Sequence, residues 1–362
     1  MPDGGGVRGN GATGAMIERV WYGDGRWPSA ARVALSPFEL AFRAITAVRN
    51  ALYDTGVLRA ADPGIAVISV GNLTVGGTGK TPIAAHIAGR LKGRGAHPAI
   101  VLRGYGGDEI LVHERLVPGV IVVADPDRVR GARLAAQRSA DVVVLDDAFQ
   151  HRRIARSADV VLVAAERLTN NARQLPAGPF RESPRSLRRA SLILVTRKSA
   201  SPEDVDRALL WCARWAPDVP TAVARLELGD LRRDADRAPL PSLVGERVLA
   251  IAAVGDPRAF SVQLAAAGAH VELASFPDHH AFTDSDVSGL ARRAIGYSRA
   301  VCTLKDYVKI GPRWPANASP LWYASQRVHI ERGENVLDAI ISDVFARRRI
   351  DTSPGRPAPA AS

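Results

Sequence analysis

Ile65-Ala-Val-Ile-Ser-Val-Gly-Asn-Leu-Thr-Val-Gly-Gly-Thr-Gly-Lys-Thr-Pro82 is an apolar run that passes into a glycine-rich turn ending in Gly-Lys-Thr. A strand, a loop of exposed amides and a helix start, in that order, let successive backbone N–H groups converge on phosphate oxygens. Thr74, Val75, Gly76, Gly77, Thr78, Gly79, Lys80 and Thr81 are therefore the expected phosphate cradle. In it Lys80 reaches the outer phosphates, and the Thr81 hydroxyl is placed to ligate Mg²⁺. Pro82 falls in the first helical turn, where no N–H is required. The usual spacing G-x-x-x-x-G-K-T would put glycine at 74, where this chain has Thr74, so Gly71, Gly76 and Gly77 supply the flexibility instead.

Outward from this loop, short β-rich runs alternate with helical segments. Ala99 to Leu102, Val120 to Val123, Asp141 to Leu145, Asp159 to Val163 and Leu192 to Thr196 read as strands, with a helix at Asp127 to Gln137. The alternation implies a parallel sheet covered on both faces. A second α/β set begins near Arg247, with strands around 248–253, 271–275 and 300–303 and helices around 257–267 and 285–295. The fold class expected is a P-loop NTPase-like parallel-sheet domain followed by a second, smaller α/β domain. In Val142-Val-Val-Leu-Asp-Asp-Ala-Phe-Gln-His-Arg-Arg153, four apolar residues run into an acidic pair, as in a Walker-B strand whose terminal carboxylate holds a metal directly or through water. Asp146 takes that role, with Asp147 orienting or neutralising beside it.

Length and composition fit two domains and ordinary cores: 362 residues, 46% of them hydrophobic. The boundaries expected are a disordered N-terminus over 1–16, the phosphate-loop domain over 17–229, a linker over 230–246, the second domain over 247–350 and a disordered tail over 351–362. Asp230 to Pro241 is charged and bears prolines, as a linker does. Ser36-Pro37 reads as an N-cap and first turn, followed by Phe38, Ala41, Phe42, Ile45, Val48 and Leu52 on one helical stripe. That stripe faces either its own domain's core or, given Arg43, Arg49 and the upstream tryptophans, a membrane surface. No run of eighteen or more apolar residues reads as a spanning helix. The net charge is +11, and residues 151–198 carry eleven Lys/Arg against three Asp/Glu, which points to an anionic partner: nucleic acid, an acidic membrane or a phosphorylated substrate.

Several segments together resemble the tetraacyldisaccharide 4′-kinase (lipid A 4′-kinase) family. They are Ser69 to Pro82, Leu102-Arg-Gly-Tyr-Gly106, Asp146-Asp-Ala-Phe-Gln-His-Arg-Arg153, Leu175-Pro-Ala-Gly-Pro-Phe-Arg-Glu182, Thr196-Arg-Lys198, Phe276-Pro-Asp-His-His280 and Thr303-Leu-Lys-Asp306, in the family's order. Thr74 is the form of the loop that this family uses. The resemblance implies transfer of the γ-phosphoryl group of ATP, with Mg²⁺, to the 4′-hydroxyl of a lipid-linked glucosamine disaccharide at the cytoplasmic face of the inner membrane. It implies an anionic membrane surface as a partner, and neither nucleic acid nor an obligate protein partner. It also implies phosphate contact for Arg181 and a supporting metal or substrate role for Glu182. The catalytic base is expected at Asp108 of Gly107-Asp-Glu109, working with His279 of Asp278-His-His280, while His280 is structural.

The chain departs from the family in joining Arg-Gly-Tyr-Gly directly to Gly-Asp-Glu, with Ile110 where proline is usual. Ala148 replaces a glycine, and Leu304 a glutamate. A regulatory ATPase or GTPase would use the same loop and acidic strand without needing Asp108 or His279. A nucleic-acid-binding protein would explain the charge, but the basic residues lack aromatic interleaving.

Overall fold

A computed structural model describes residues 9–104, 107–168, 172–233, 242–278 and 280–351. In chain order the elements are α1 (Gly9–Tyr22), α2 (Arg26–Asp54), β1 (Ala66–Asn72), α3 (Lys80–Gly93), β2 (Pro98–Leu102), α4 (Asp108–Leu116), β3 (Ile121–Ala124), α5 (Arg128–Gln137) and β4 (Val142–Asp146). Next come β5 (Ala158–Ala164), β6 (Leu192–Arg197), α6 (Pro202–Trp215), β7 (Thr221–Arg232), β8 (Arg247–Ala252), α7 (Pro257–Ala266) and β9 (His270–Ser275). The chain ends with α8 (Asp284–Ala294), β10 (Arg299–Thr303), α9 (Leu304–Ile310), β11 (Leu321–Arg332) and α10 (Glu334–Asp351).

Among the described residues, eleven strands join one sheet in the order β3-β2-β4-β1-β5-β6-β7-β11-β10-β8-β9. Every neighbouring pair is parallel except β7 with β11. The two α/β sets read from the sequence are thus the two ends of a single sheet, joined through an antiparallel ribbon. Every residue of β1, β2 and β4 is buried, as parallel strands covered on both faces require. Phosphate-loop helix α3 lies on one face with Ile83, Ile87 and Leu91 in the core. On the other face α5 starts at Asp127, whose side chain caps Val129 N and Arg130 N.

Four expectations change. Residues 230–246 are not a linker from their first residue, because Asp230 to Arg232 end β7, paired with β11 from Arg232↔Tyr323 onward; residues 234–241 lie outside the described residues. The second unit does not extend to residue 350, because α10 returns to the first core, where Leu337, Ile341 and Val344 pack with Ile83 and Val70. The N-terminus is helical from Gly9, since the alanines and Met16 to Tyr22 carry helix propensity past the glycines; residues 1–8 and 352–362 lie outside the described residues.

Helix α2 starts at Arg26, ten residues before Ser36, and runs through Pro37. Ser36 bonds back to the Arg32 carbonyl at 2.9 Å instead of capping. Of the two faces open to its apolar stripe, the outward one is observed: Phe38, Ile45 and Val48 are 66%, 68% and 60% exposed, while the carboxylate-bearing Glu39 is 6% exposed. Glu39 accepts from Arg173 at 3.1 Å and from Gln174 N at 2.9 Å, so α2 is held by its polar face. No described helix is long and apolar enough to cross a membrane.

Candidate active site

The loop after β1 is braced by the segment 173–182. Val75 N donates to Pro179 O at 2.9 Å and Arg181 N to Leu73 O at 2.7 Å. Gly76 and Gly79 adopt φ of 118° and 91°, left-handed values that a side chain resists. A Cβ at Gly79 would also stand 2.3 Å from Leu226 Cδ1. Thr196 Oγ1 donates to the Thr78 carbonyl at 2.9 Å and Lys198 Nζ to the Gly77 carbonyl at 3.1 Å, so these carbonyls turn away from the cradle. Among the described residues, the N–H groups of Gly77, Gly79, Lys80 and Thr81 have no protein acceptor, and the buried Thr78 hydroxyl has no partner. Orphaned donors at a helix start are what an anion satisfies, so the loop fits phosphate.

Lys80 Nζ lies 3.3 Å from Asn72 Oδ1 and 3.7 Å from an Asp147 oxygen. Burial pushes its ammonium pKa below the ordinary lysine value, against the pull of Asp147. Arg181 Nη1 donates to both Asp147 oxygens, at 2.9 and 3.2 Å. Lys80, Asp147 and Arg181 are therefore one cluster. Asp147 is itself left-handed, with φ 55°, which swings the chain back so that Ala148 N reaches Val70 O. This turn presses on β1: a Cβ at Gly71 would meet Phe149 N at 2.6 Å.

Asp146, at the end of β4, is buried, and its Oδ2 lies 3.0 Å from His113 Nε2. Burial alone would raise its carboxyl pKa, but the His113 bond and the charges of Lys80 and Lys305 outweigh burial and hold it below the ordinary value. Glu182 is also buried. It accepts from Asn50 at 3.1 Å and Arg189 at 2.7 Å, with Arg49 at 3.9 Å, so it links the segment behind the loop to α2. These contacts brace the segment that carries Arg181; the resemblance read from the sequence implies for Glu182 a supporting metal or substrate role.

The far end of the sheet closes over the loop. Arg167 donates to the Gly255 carbonyl at 2.7 Å, and a Cβ on Gly255 would lie 3.5 Å from Gly77 N and 3.3 Å from Asp278 Oδ2. Lys305 interacts electrostatically with both Lys80 and Asp146. Asp108 begins α4, 3.6 Å from Lys309 Nζ, which also reaches the His280 carbonyl at 3.4 Å. His280 is structural: its Nε2 meets Asp286 at 3.1 Å and its ring packs on Phe276 and Phe282. His279, like Tyr105 and Gly106, lies outside the described residues.

The local basic excess is mostly consumed inside the chain. Seven of the eleven basic residues in 151–198 pair with Asp54, Asp159, Glu18, Glu39, Asp147, Glu182 and Glu331. Sequence reasoning missed His113, Asn72 and Lys309. His113 stands in no quoted motif, and its only signal was a histidine set next to Val112 in a short helix.

The sequence profile of the LpxK family, described as tetraacyldisaccharide-1-P 4′-kinase, matches residues 31–346. A tetraacyldisaccharide 4′-kinase of Anaeromyxobacter dehalogenans is 39% identical, over 90% of this chain and 94% of the relative. One from Syntrophus aciditrophicus is 35% identical over 81% and 89%. The solved structure of LpxK from Aquifex aeolicus, an "apo" form in complex with ATP, superposes with a TM-score of 0.68 at 28% identity, covering 87% of this chain and 99% of that one. A cradle of free amides beside a Lys80–Asp147–Arg181 cluster, and a profile match across most of its length, place this chain in the tetraacyldisaccharide 4′-kinase family.

Proposed function

We propose that the chain transfers the γ-phosphoryl group of ATP to the 4′-hydroxyl of a tetraacyldisaccharide 1-phosphate, a lipid A precursor. The observation that carries this reading is the convergence of Lys80 and Arg181 on Asp147 beside unpartnered loop amides, within a chain of this family. Phosphoryl transfer needs little from a protein except position and charge neutralisation. Residues 74–81 would cradle the phosphates, and Lys80 and Arg181 would balance charge on the transferring group once Asp147 shares them. Thr81 and Asp146 would hold Mg²⁺, directly or through water, and the cation would neutralise phosphate charge. Asp147 and Glu182 would support that shell from their ion pairs.

Asp108 would accept the 4′-hydroxyl proton while the hydroxyl oxygen bonds to phosphorus and the β–γ bridging bond breaks to release ADP. Lys309, 3.6 Å away, would hold that carboxylate in place beside the 278–280 turn. The role of His279 rests on the family resemblance. We read the molecule as a phosphate-loop unit and a second α/β unit that supplies Lys305 and the 278–280 turn. The exposed apolar face of α2 would lie on the anionic cytoplasmic face of the inner membrane, where the acceptor lipid is found.

The test is transfer of labelled γ-phosphate from Mg-ATP to the disaccharide lipid in mixed micelles. Asp108→Ala should lower lipid labelling by about 10²- to 10⁴-fold, the usual contribution of a general base, and Lys80→Ala should abolish it. ATP hydrolysis without lipid labelling by the native chain would favour a regulatory ATPase instead.

A further inference from the structure

Asp146, the carboxylate at the end of β4, is gripped by a residue from another element. His113 Nε2 lies 3.0 Å from Asp146 Oδ2, and the histidine is fully buried. Its other ring nitrogen, Nδ1, has no partner among the described residues, so Asp146 is its one polar anchor there. Oδ1 of Asp146 makes no hydrogen bond among the described residues and remains open to a cation or its water. His113 stands on α4, the short helix that begins with Asp108. That helix is pinned at its start by Lys309 and along its side by Val112, which packs with Leu304 and Val308 of α9.

We infer that His113 is a positioning residue, which by holding Oδ2 aims Oδ1 of Asp146 at the cation and sets the distance between that carboxylate and Asp108. The inference rests on the reading of Asp146 and Asp108 given above. Five residues along a helix fix a rise of about 7.5 Å between Asp108 and His113, so the two carboxylates are tied to one rigid rod. A ligand carboxylate whose second oxygen is held loses fewer orientations on binding metal, and partners of this kind usually affect metal affinity strongly.

The experiment titrates Mn²⁺ into the full-length protein with ATP and reads free Mn²⁺ by electron paramagnetic resonance. His113→Leu keeps apolar packing but removes the bond, and His113→Gln can place its Nε2 donor near the imidazole Nε2. The expected result is a Mn²⁺ dissociation constant raised about 10- to 100-fold in His113→Leu, largely recovered in His113→Gln, with ATP affinity in EDTA unchanged. If His113→Leu does not fold, His113→Asn, too short to reach Asp146, replaces it. Native-like Mn²⁺ affinity in the bond-deleting variant, or an equal loss in His113→Gln, would overturn the inference. A native chain that binds Mn-ATP but never labels lipid would overturn the proposed function and leave this inference standing.

Discussion

Acidification should destabilise this protein through one histidine on the phosphate-loop helix. His86 lies on α3 six residues after Lys80, and its Nε2 is buried without a partner among the described residues. Burial first, and then the charge of Arg90, push its pKa down from 6.5 to about 4; Glu334 and Asp338 pull the other way and lose. The folded state therefore binds this proton less readily than the unfolded chain does. Protonation favours unfolding, so the destabilisation is absent well above pH 6.5, grows as pH falls below it and levels off below about 4. Integrating the linkage relation between these pKa values gives a loss of about 2 kcal/mol at pH 5 and about 3 kcal/mol at the acid limit. Carboxylates titrate in the same range, so the assay is a double difference: urea unfolding of the native chain and His86→Gln, each at pH 7.5 and pH 5. The native chain should lose about 2 kcal/mol more than the variant between the two pH values. Parallel pH dependences in the two proteins would refute the reasoning, because they would mean that burial does not hold His86 neutral.

Gly79→Ala should cost about 2–5 kcal/mol in urea unfolding, combining a left-handed backbone with a clash on Leu226; adding Leu226→Ala should relieve only the clash, and full recovery would contradict the backbone part. Leu304→Ala should cost about 2–4 kcal/mol and speed hydrogen exchange at the α4 amides, since Leu304 packs with Val112 of that helix; unchanged α4 protection would show that α9 does not hold it. Phe38→Ser with Ile45→Ser should weaken flotation with anionic liposomes while leaving the melting temperature within a few degrees, because both side chains are exposed. Equal flotation would remove α2 as the membrane contact. Glu39→Ala should destabilise by about 1–3 kcal/mol, since the buried Gln174 N–H then loses its acceptor and the part-exposed Arg173 its carboxylate; a thermal midpoint equal to that of the native chain would rule this out.

The phosphate loop was legible because its information is local. A continuous apolar run, glycines able to take positive φ, and a Lys-Thr-Pro helix start all sit within eighteen residues. Asp146 and Asp147 were readable for the same reason, and Arg181 joined them through a family motif. The two long strands β7 and β11 were not read: the end of β7 falls in the charged stretch that reads as a linker, and β11 mixes charged with apolar residues, so the strands show only once they pair. The stripe on α2 was read correctly as a stripe, but periodicity does not say which face packs: here Glu39 is inside because Arg173 and Gln174 meet it.

The sequence by itself determined the alternating architecture, the cradle and the acidic strand end, since backbone freedom, capping and apolar runs are properties of neighbouring residues. Tertiary structure alone decided that the β7–β11 ribbon fuses the two halves into one sheet and that α10 returns to the first core. It also decided that Glu182 is held by Asn50 and Arg189, that His113 grips Asp146, and that Lys309 spans Asp108 and the His280 carbonyl. Most of these contacts join residues far apart in the chain, and a charge buried at such a place is tolerable only with its partner. No local pattern encodes that partnership, because it exists only once the sheet has brought the segments together.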